Sequence, residues 1–128
     1  TTATSTVLTF NQERYDTDAF HSISVNTSRL TIPFAGYYTV GGCIRWAANI
    51  TGNRVLQLLL NGATIISSLN IQAVSVAATV TDLFIERTYL FAAGDYVELQ
   101  VRQVSGGNLN VSATGNFSPE FWIEKLIN

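Results

Sequence analysis

Short runs of β-branched and aromatic residues, broken by Gly, Asn, Asp or Pro, are the sequence feature that most limits how this chain can fold. The breaks recur roughly every eight to twelve residues, and no convincing helical period accompanies them. Asn61-Gly62, between two such runs, is the strongest short hairpin signal. The pattern predicts an all-β chain, a two-sheet antiparallel jelly-roll sandwich, with a closed barrel as the alternative.

The strands are predicted from this alternation. They cover 7–10, 23–25, 29–32, 37–48, 54–60, 63–67, 81–91, 96–104, 109–113 and 121–127, while 69–79 is ambiguous. In the long strand 37–48, Tyr38, Val40, Ile44 and Trp46 share one face. The Gly41-Gly42 pair inside that strand predicts a bulge or a close backbone approach.

The length of the chain limits the number of domains, and its low charge bears on how it assembles. The chain has 128 residues, which suits one domain (1–128) with a core that needs no disulfide, and its single Cys43 can form none internally. Only 12% of residues are charged, about half of the typical ~25%. A surface rich in Ser, Thr, Asn and Gln is one explanation. The preferred one is burial of part of the surface against copies of the same chain.

Several partners are excluded by composition. The net charge is −2 and the seven basic residues are scattered, which argues against nucleic-acid binding. The longest apolar run, 55–60, is interrupted by Gln57 and is far too short for membrane insertion. No signal peptide is visible in the sequence, which does not begin with Met, so we expect a processed protein or a part of a longer one.

Enzymatic motifs are missing from the sequence. His21 is the only histidine, and no nucleophile elbow, zinc-ligand spacing or phosphate-binding glycine loop occurs. Cys43 is interpreted as a small buried hydrophobic residue. A carbohydrate-active enzyme needs a pair of carboxylates, which only the region of Asp16 and Asp18 could supply. The prediction is therefore that the protein is not an enzyme.

Five segments, in order, carry a family resemblance. The globular head of complement component 1q and its tumour-necrosis-factor-like relatives have similar motifs. The segments are Phe10 with Tyr15-Asp16 and Phe20, 30–40 (LTIPFAGYYTV), 56–62 (LQLLLNG), 91–101 (FAAGDYVELQV), and Phe117 with Phe121-Trp122-Ile123. Where the chain departs from the pattern of the animal members, it resembles bacterial or phage members of the family.

This resemblance implies a homotrimer, and the residues themselves suggest several further roles. Asp16 and Asp18, with Glu13 nearby, become calcium candidates, although solvated loop acids are the preferred interpretation and no cofactor is otherwise expected. Turn positions are expected for Gly36, Gly62 and Gly94. The residues expected in the core or at the trimer interface are Tyr37, Tyr38, Trp46, Phe91, Phe117, Phe121 and Trp122.

The function expected from this resemblance is a non-enzymatic trimeric head domain of a virion or cell-surface fibre or coat, located outside the cell or on the virion. Its loops, 11–21, 49–53, 69–80 and 105–108, would meet a protein or glycan receptor. The alternative is a decoration or cement protein that binds a capsid or coat protein and no receptor. Collagen-like repeats or a coiled coil upstream would favour the fibre head.

Overall fold

The computed structural model describes residues 1–126, and it is a jelly-roll sandwich of two antiparallel sheets. Within that range the one helical segment is a 3-10 turn over Gly115–Phe117. The strands are β1 (Thr6–Val7), β2 (Arg29–Thr31), β3 (Gly36–Trp46), β4 (Asn53–Leu60), β5 (Thr64–Gln72), β6 (Thr81–Phe91), β7 (Tyr96–Gln103) and β8 (Glu120–Lys125). The all-β prediction is therefore confirmed.

The two sheets differ in size. The larger sheet has the order β1-β7-β4-β5, and β2 pairs with the same strand, β7, as β1 does. β1 pairs with β7 near Val101 and β2 pairs near Val97, so these two short strands follow one another along that strand. The smaller sheet has the order β6-β3-β8, with β3 in the middle.

Period-two alternation in β3 places its residues as predicted. Tyr38, Val40, Ile44 and Trp46 are all buried against the larger sheet. The inner residues that join them in one hydrophobic cluster are Phe20, Leu30, Ile32, Leu56, Leu58, Leu83, Ile85, Phe91, Val97, Leu99 and Val101. Burying branched and aromatic side chains in this way contributes roughly 1.5–3 kcal/mol per residue before the entropic cost of folding is subtracted.

The glycine pair in β3 is a close approach and not a bulge. Pairing with β6 runs without interruption from Gly36 to Trp46. The register shift of the molecule lies instead in the β4–β5 hairpin, between Leu58 and Leu59. A bulge is a property of how two strands pair, so a glycine in one strand alone does not locate it.

The hairpin at Asn61-Gly62 is confirmed and is longer than expected. Both residues have positive φ (52° and 72°), and β5 continues to Gln72 through part of the ambiguous segment. The side chain of Asn61 donates to Asp95 Oδ1 at 2.9 Å and accepts from the Tyr96 amide at 2.9 Å. Two turns at this end of the sandwich are thereby joined.

Two predicted strands are wrong and one extends past the described range. Residues 23–25 form a bend, because the Ser22 hydroxyl accepts the Val25 amide at 3.1 Å and competes with strand pairing. In 109–113, Val111 makes an isolated bridge to Trp46. Ile127, the end of the predicted last strand, lies outside the described residues.

Strand direction gathers three of the four connections longer than five residues at one end, while the connection 8–28 lies elsewhere. The segments 47–52, 73–80 and 104–119 all leave or enter the sheets at the end where β3 finishes, and we call this the long-loop end. The tight turns 61–63 and 92–95 lie at the opposite end.

Candidate functional site

The outer surface of the smaller sheet carries the largest group of aromatic side chains that are not used in the core. Because the even-numbered residues of β3 face inward, the odd-numbered ones and their partners on β6 and β8 face outward. We call this surface the aromatic face and define it by Tyr37, Phe84, Leu90, Phe117 and Trp122. Tyr37, Phe117 and Trp122 were expected in the core or at the trimer interface.

Trp122 lies flat against the backbone of Gly41. A Cβ atom at Gly41 would come within 2.5 Å of the indole Cζ2 and 2.8 Å of the Ile85 carbonyl oxygen. Gly42 faces the other way, where a Cβ would lie 2.8 Å from both methyl carbons of Leu99. One glycine therefore makes room for an aromatic ring outside the sheet, and its neighbour makes room for a core leucine inside.

The remaining side chains of the aromatic face are open to solvent in the single chain. The rings of Phe84 and Trp122 pack with their centroids 5.4 Å apart, and Phe84 is still 59% exposed. Tyr37 and Leu90 are paired across β3 and β6 and are 50% and 58% exposed. The register position of Glu86 lies between these two pairs, so the face exposes two separate apolar groups and not one continuous patch.

Arg45 contacts both a carboxylate and an aromatic ring at one border of the aromatic face. Its Nε and Nη2 atoms donate to the two carboxylate oxygens of Asp82 at 2.6 and 2.7 Å. The same guanidinium lies 3.7 Å from the centre of the Phe117 ring. The hydrogen bond from Arg45 lowers the pKa of Asp82, so this pair is ionised at neutral pH.

Cys43 lies between Phe84 and Glu120 on the same face. It is half-buried, and its burial, followed by the charge of Glu120, raises the pKa of its thiol. A thiol held protonated is a poor nucleophile, so the position favours packing over covalent chemistry. Glu120 itself forms an ion pair with Arg14.

The outer surface of the larger sheet has a different character, and we call it the amide face. Gln57 accepts a hydrogen bond from Gln100 at 3.0 Å and donates to Ser68 at 3.2 Å. Asn53 donates to Asn70 at 2.8 Å. These amides pair with one another across neighbouring strands, so much of their hydrogen-bonding capacity is used within the chain.

Four of the aromatic residues expected in the core or at an interface lie inside the sandwich or at its edge. Tyr38 is fully buried, and the centroid of its ring is 6.0 Å from that of Phe91. Trp46 is buried at the end of β3, where its Nε1 has no hydrogen-bond partner within residues 1–126. Phe121 is half-buried and packs on Phe10 with a centroid separation of 5.7 Å. Gly36, Gly62 and Gly94 all adopt positive φ.

The acidic loop around Asp16 is held together by its own hydrogen bonds. Both oxygens of Asp16 accept backbone amides, from Phe20 at 3.0 Å and from His21 at 2.9 Å. The His21 ring contacts a carboxylate oxygen of Glu13 and the carbonyl of Thr27, each at 3.0 Å. Asp18 is exposed. Within the described part of the chain, no group of three or more His, Cys, Asp or Glu side chains is placed to hold a metal ion.

The long-loop end is braced by a buried arginine. Arg54 is fully buried and donates to the carbonyls of Asn49 and Thr51, both at 2.9 Å, and Asn53 at 3.0 Å. Burial lowers the pKa of its guanidinium. A Cβ at Gly52 would lie 1.5 Å from the Val104 carbonyl oxygen, so this loop and the one after β7 are in direct backbone contact.

Sequence reasoning missed Phe84, Leu90 and the Arg45–Asp82 pair. The signal for the first two is present, because alternation in 81–91 that sends Leu83 inward must send Phe84 outward. The pairing of Arg45 with Asp82 depends on the register between β3 and β6, which alternation within one strand does not specify.

The described residues contain no helix with the length and apolar character that crossing a bilayer requires. No protein-family model matches the sequence, and no curated protein matches it either. Two family 35 carbohydrate binding modules of known structure are similar to the chain. The module from an environmental isolate has a TM-score of 0.42 and 18% identity, over 77% of this chain and 66% of that one. The module from Clostridium thermocellum has a TM-score of 0.39 and 19% identity, over 85% and 94% respectively. Likeness at this level assigns no ligand to this chain.

Proposed function

We propose that this chain is the non-enzymatic homotrimeric head domain of a virion or cell-surface fibre or coat. In this proposal the aromatic face packs against neighbouring copies, and the long-loop end is presented to a receptor or surface. The single observation that carries the proposal is the exposure of Tyr37, Phe84 and Leu90 on the outer surface of one sheet. Covering these apolar side chains with another surface removes them from water and lowers the free energy.

Copies of the same chain are the occupant that the composition favours. The sequence has unusually few charges, as expected when part of its surface is buried between subunits. The resemblance of 30–40 and 91–101 to complement 1q heads implies three copies around an axis. A closed symmetric assembly would also bury the aromatic face of every copy and leave none exposed.

The braced loops support a role in attachment. The hydrogen bonds of Arg54 and the contact of Gly52 with Val104 hold loop 49–53 in one arrangement before any partner arrives. Preorganised loops lose less conformational entropy on binding. Three such loop sets on one particle turn weak single contacts into strong attachment to a multivalent surface.

Molar mass in solution tests the trimer directly. Light scattering on the wild type is expected to give three times the chain mass of 14.0 kDa. Phe84→Glu places a charge beside Trp122 on the aromatic face and is expected to give the single-chain mass. Ile65→Glu is the matched control, because Ile65 is equally apolar, 50% exposed and on the other sheet. A monomeric wild type, or equal dissociation by both variants, contradicts the proposal.

The carboxylates on the aromatic face give a second signature. Glu86 and Glu124 lie on the same side of β6 and β8 as Phe84 and Trp122. Like charges on approaching copies repel, and salt screens that repulsion. We therefore expect the trimer to dissociate less at high ionic strength, which analytical ultracentrifugation across a salt series measures. Dissociation that increases with salt would argue for ion pairs as the main contact.

Attachment is tested with the same variant pair. Labelled wild type and Ile65→Glu are expected to be retained on some members of an immobilised glycan panel, whereas monomeric Phe84→Glu washes off at least roughly 100-fold faster because avidity is lost. Retention of none of the three proteins on any glycan contradicts a glycan receptor.

A further inference from the structure

Two neighbouring connections at the long-loop end, 47–52 and 73–80, contain no ionisable side chain, and we call them the neutral loops. They are in direct contact, because the Ala73 amide donates to the Gly52 carbonyl at 2.9 Å. The connection 8–28, which links β1 to β2, has the opposite composition. Its ionisable residues are Glu13, Arg14, Asp16, Asp18 and His21. Charge is therefore distributed unevenly among the connections of this sandwich.

The charged residues that flank the neutral loops in sequence are engaged within the chain. Arg54 follows the first loop, is fully buried, and donates to two carbonyls of that loop at 2.9 Å each. Asp82 follows the second loop and accepts two hydrogen bonds from Arg45, which precedes the first loop. The amino group of Thr1 belongs to a separate groove beside 109–111, whose lining includes no residue of either neutral loop.

The neutral loops expose single aliphatic side chains next to hydroxyl groups. Ile50 is 58% exposed and is followed by the exposed Thr51. Val76 is 64% exposed and is preceded by the exposed Ser75. The surface therefore offers short apolar contacts and hydroxyls side by side, and its side chains offer no charge.

This composition selects among partners by the cost of removing charge from water. An ionised group pressed against the neutral loops would lose its hydration and meet no opposite charge. A protein partner has about one charged residue in four, and a phospholipid headgroup carries ionised groups even when its net charge is zero. A neutral polysaccharide presents hydroxyls and C–H groups only, so it can approach this surface without that cost.

We propose that the neutral loops bind an uncharged, hydroxyl-rich glycan chain. The hydroxyls of Thr51 and Ser75 exchange hydrogen bonds with sugar hydroxyls, and Ile50 and Val76 cover C–H surface of the sugar rings. The inference rests on the proposed function, in which the long-loop end meets a receptor, and it names the chemical class of that receptor. Each contact is weak, so strong retention requires several copies of the loops on one polymer.

Binding of soluble polymers to densely immobilised protein tests the class of partner without relying on a trimer. Biolayer interferometry would use dextran, galactomannan and mixed-linkage β-glucan as neutral probes. Alginate, dextran sulfate, protonated chitosan and phosphatidylcholine vesicles are the charged comparisons. We expect at least one neutral polysaccharide to bind. Its apparent affinity should change less than about twofold between about 50 and about 500 mM sodium chloride, because salt screens only interactions between charges.

Two pairs of matched variants locate the binding surface. Ile50→Asp and Val76→Asp each place an unpaired carboxylate in a neutral loop and are expected to weaken the apparent affinity at least roughly tenfold. Ile23→Asp and Val25→Asp are the controls, because these residues are of the same types, are 57% and 64% exposed, and lie in the connection 8–28. Unchanged thermal unfolding midpoints would show that all four variants remain folded. Equal weakening by both pairs, or by neither, overturns the placement.

The remaining outcomes separate this inference from the proposed function. Binding of the charged polymers or of the vesicles alone, or binding that weakens steeply with salt, overturns the neutral partner and leaves a role in attachment standing. Binding of none of the probes overturns this inference together with the glycan receptor. In that case the molar mass in solution still decides whether the chain is a trimer.

Discussion

The outer surfaces of the two sheets differ in what their side chains expose to water. On the amide face, Gln100, Gln57 and Ser68 form hydrogen bonds to one another across three strands. On the aromatic face, Phe84 and Trp122 pack on each other and still leave much of the phenylalanine in water. Within a single chain, the aromatic face therefore exposes more large apolar side chains than the amide face does.

The difference begins in the strands themselves. β6 is apolar on both sides near its ends, with Leu83 inward and Phe84 outward. β4 also has outward apolar residues, Val55 and Leu59, but these are only 5% and 7% exposed. Hydrophobicity alone therefore does not distinguish the faces. What distinguishes them is how much of each outward apolar side chain is covered within the single chain.

Among the substitutions that test this comparison, Gly41→Ala is expected to change the free energy of unfolding most. The new methyl group would overlap the indole of Trp122 and the carbonyl of Ile85, and overpacking of this kind costs about 1–3 kcal/mol. We expect urea unfolding to show that loss in the free energy of unfolding. Gly107→Ala, where an added Cβ has no neighbour within 4 Å, should change it by less than about 0.5 kcal/mol. Similar losses in both variants would mean that Trp122 is not seated on Gly41.

A smaller effect is expected on the amide face. Gln57→Ala removes the hydrogen bonds to Gln100 and Ser68, and because these are solvent-accessible their loss should cost about 1 kcal/mol in total. The molar mass in solution should not change. Gln72→Ala, on the exposed end of β5, serves as the control. If Gln57→Ala alters the assembly, the assignment of the interface to the aromatic face alone is broken.

The smallest effect concerns pH at the border of the aromatic face. Because Arg45 lowers the pKa of Asp82, the stabilisation from this pair is complete above the ordinary aspartate pKa and is lost as the pH falls through the lowered value. The carboxylate is more than half exposed, so solvent screens the interaction and the change in stability is small.

Carbon-13 titration of the Asp82 carboxyl measures this effect. Arg45→Gln should return its midpoint toward the ordinary value, and Arg87→Gln should not. A midpoint in the wild type at the ordinary value would contradict the pairing.

Much of the fold could be predicted from the residues in order. The alternation in β3, the Asn61-Gly62 hairpin and the inward position of Leu83 all follow from backbone geometry that each segment carries locally. The candidate site was predicted in part. Tyr37, Phe117 and Trp122 were selected as aromatic residues, but selection by residue type could not separate them from Tyr38 and Phe91, which lie in the core.

The sequence by itself determined that this chain forms strands, where most of them turn, and which side of β3 is apolar. Only the tertiary structure decided that Trp122 rests on Gly41, that Arg45 meets Asp82, and that the two neutral loops lie in contact. The physical reason is that alternation depends on two neighbouring residues in one strand. Contacts between strands depend on order and register, which are selected by packing of the whole sandwich.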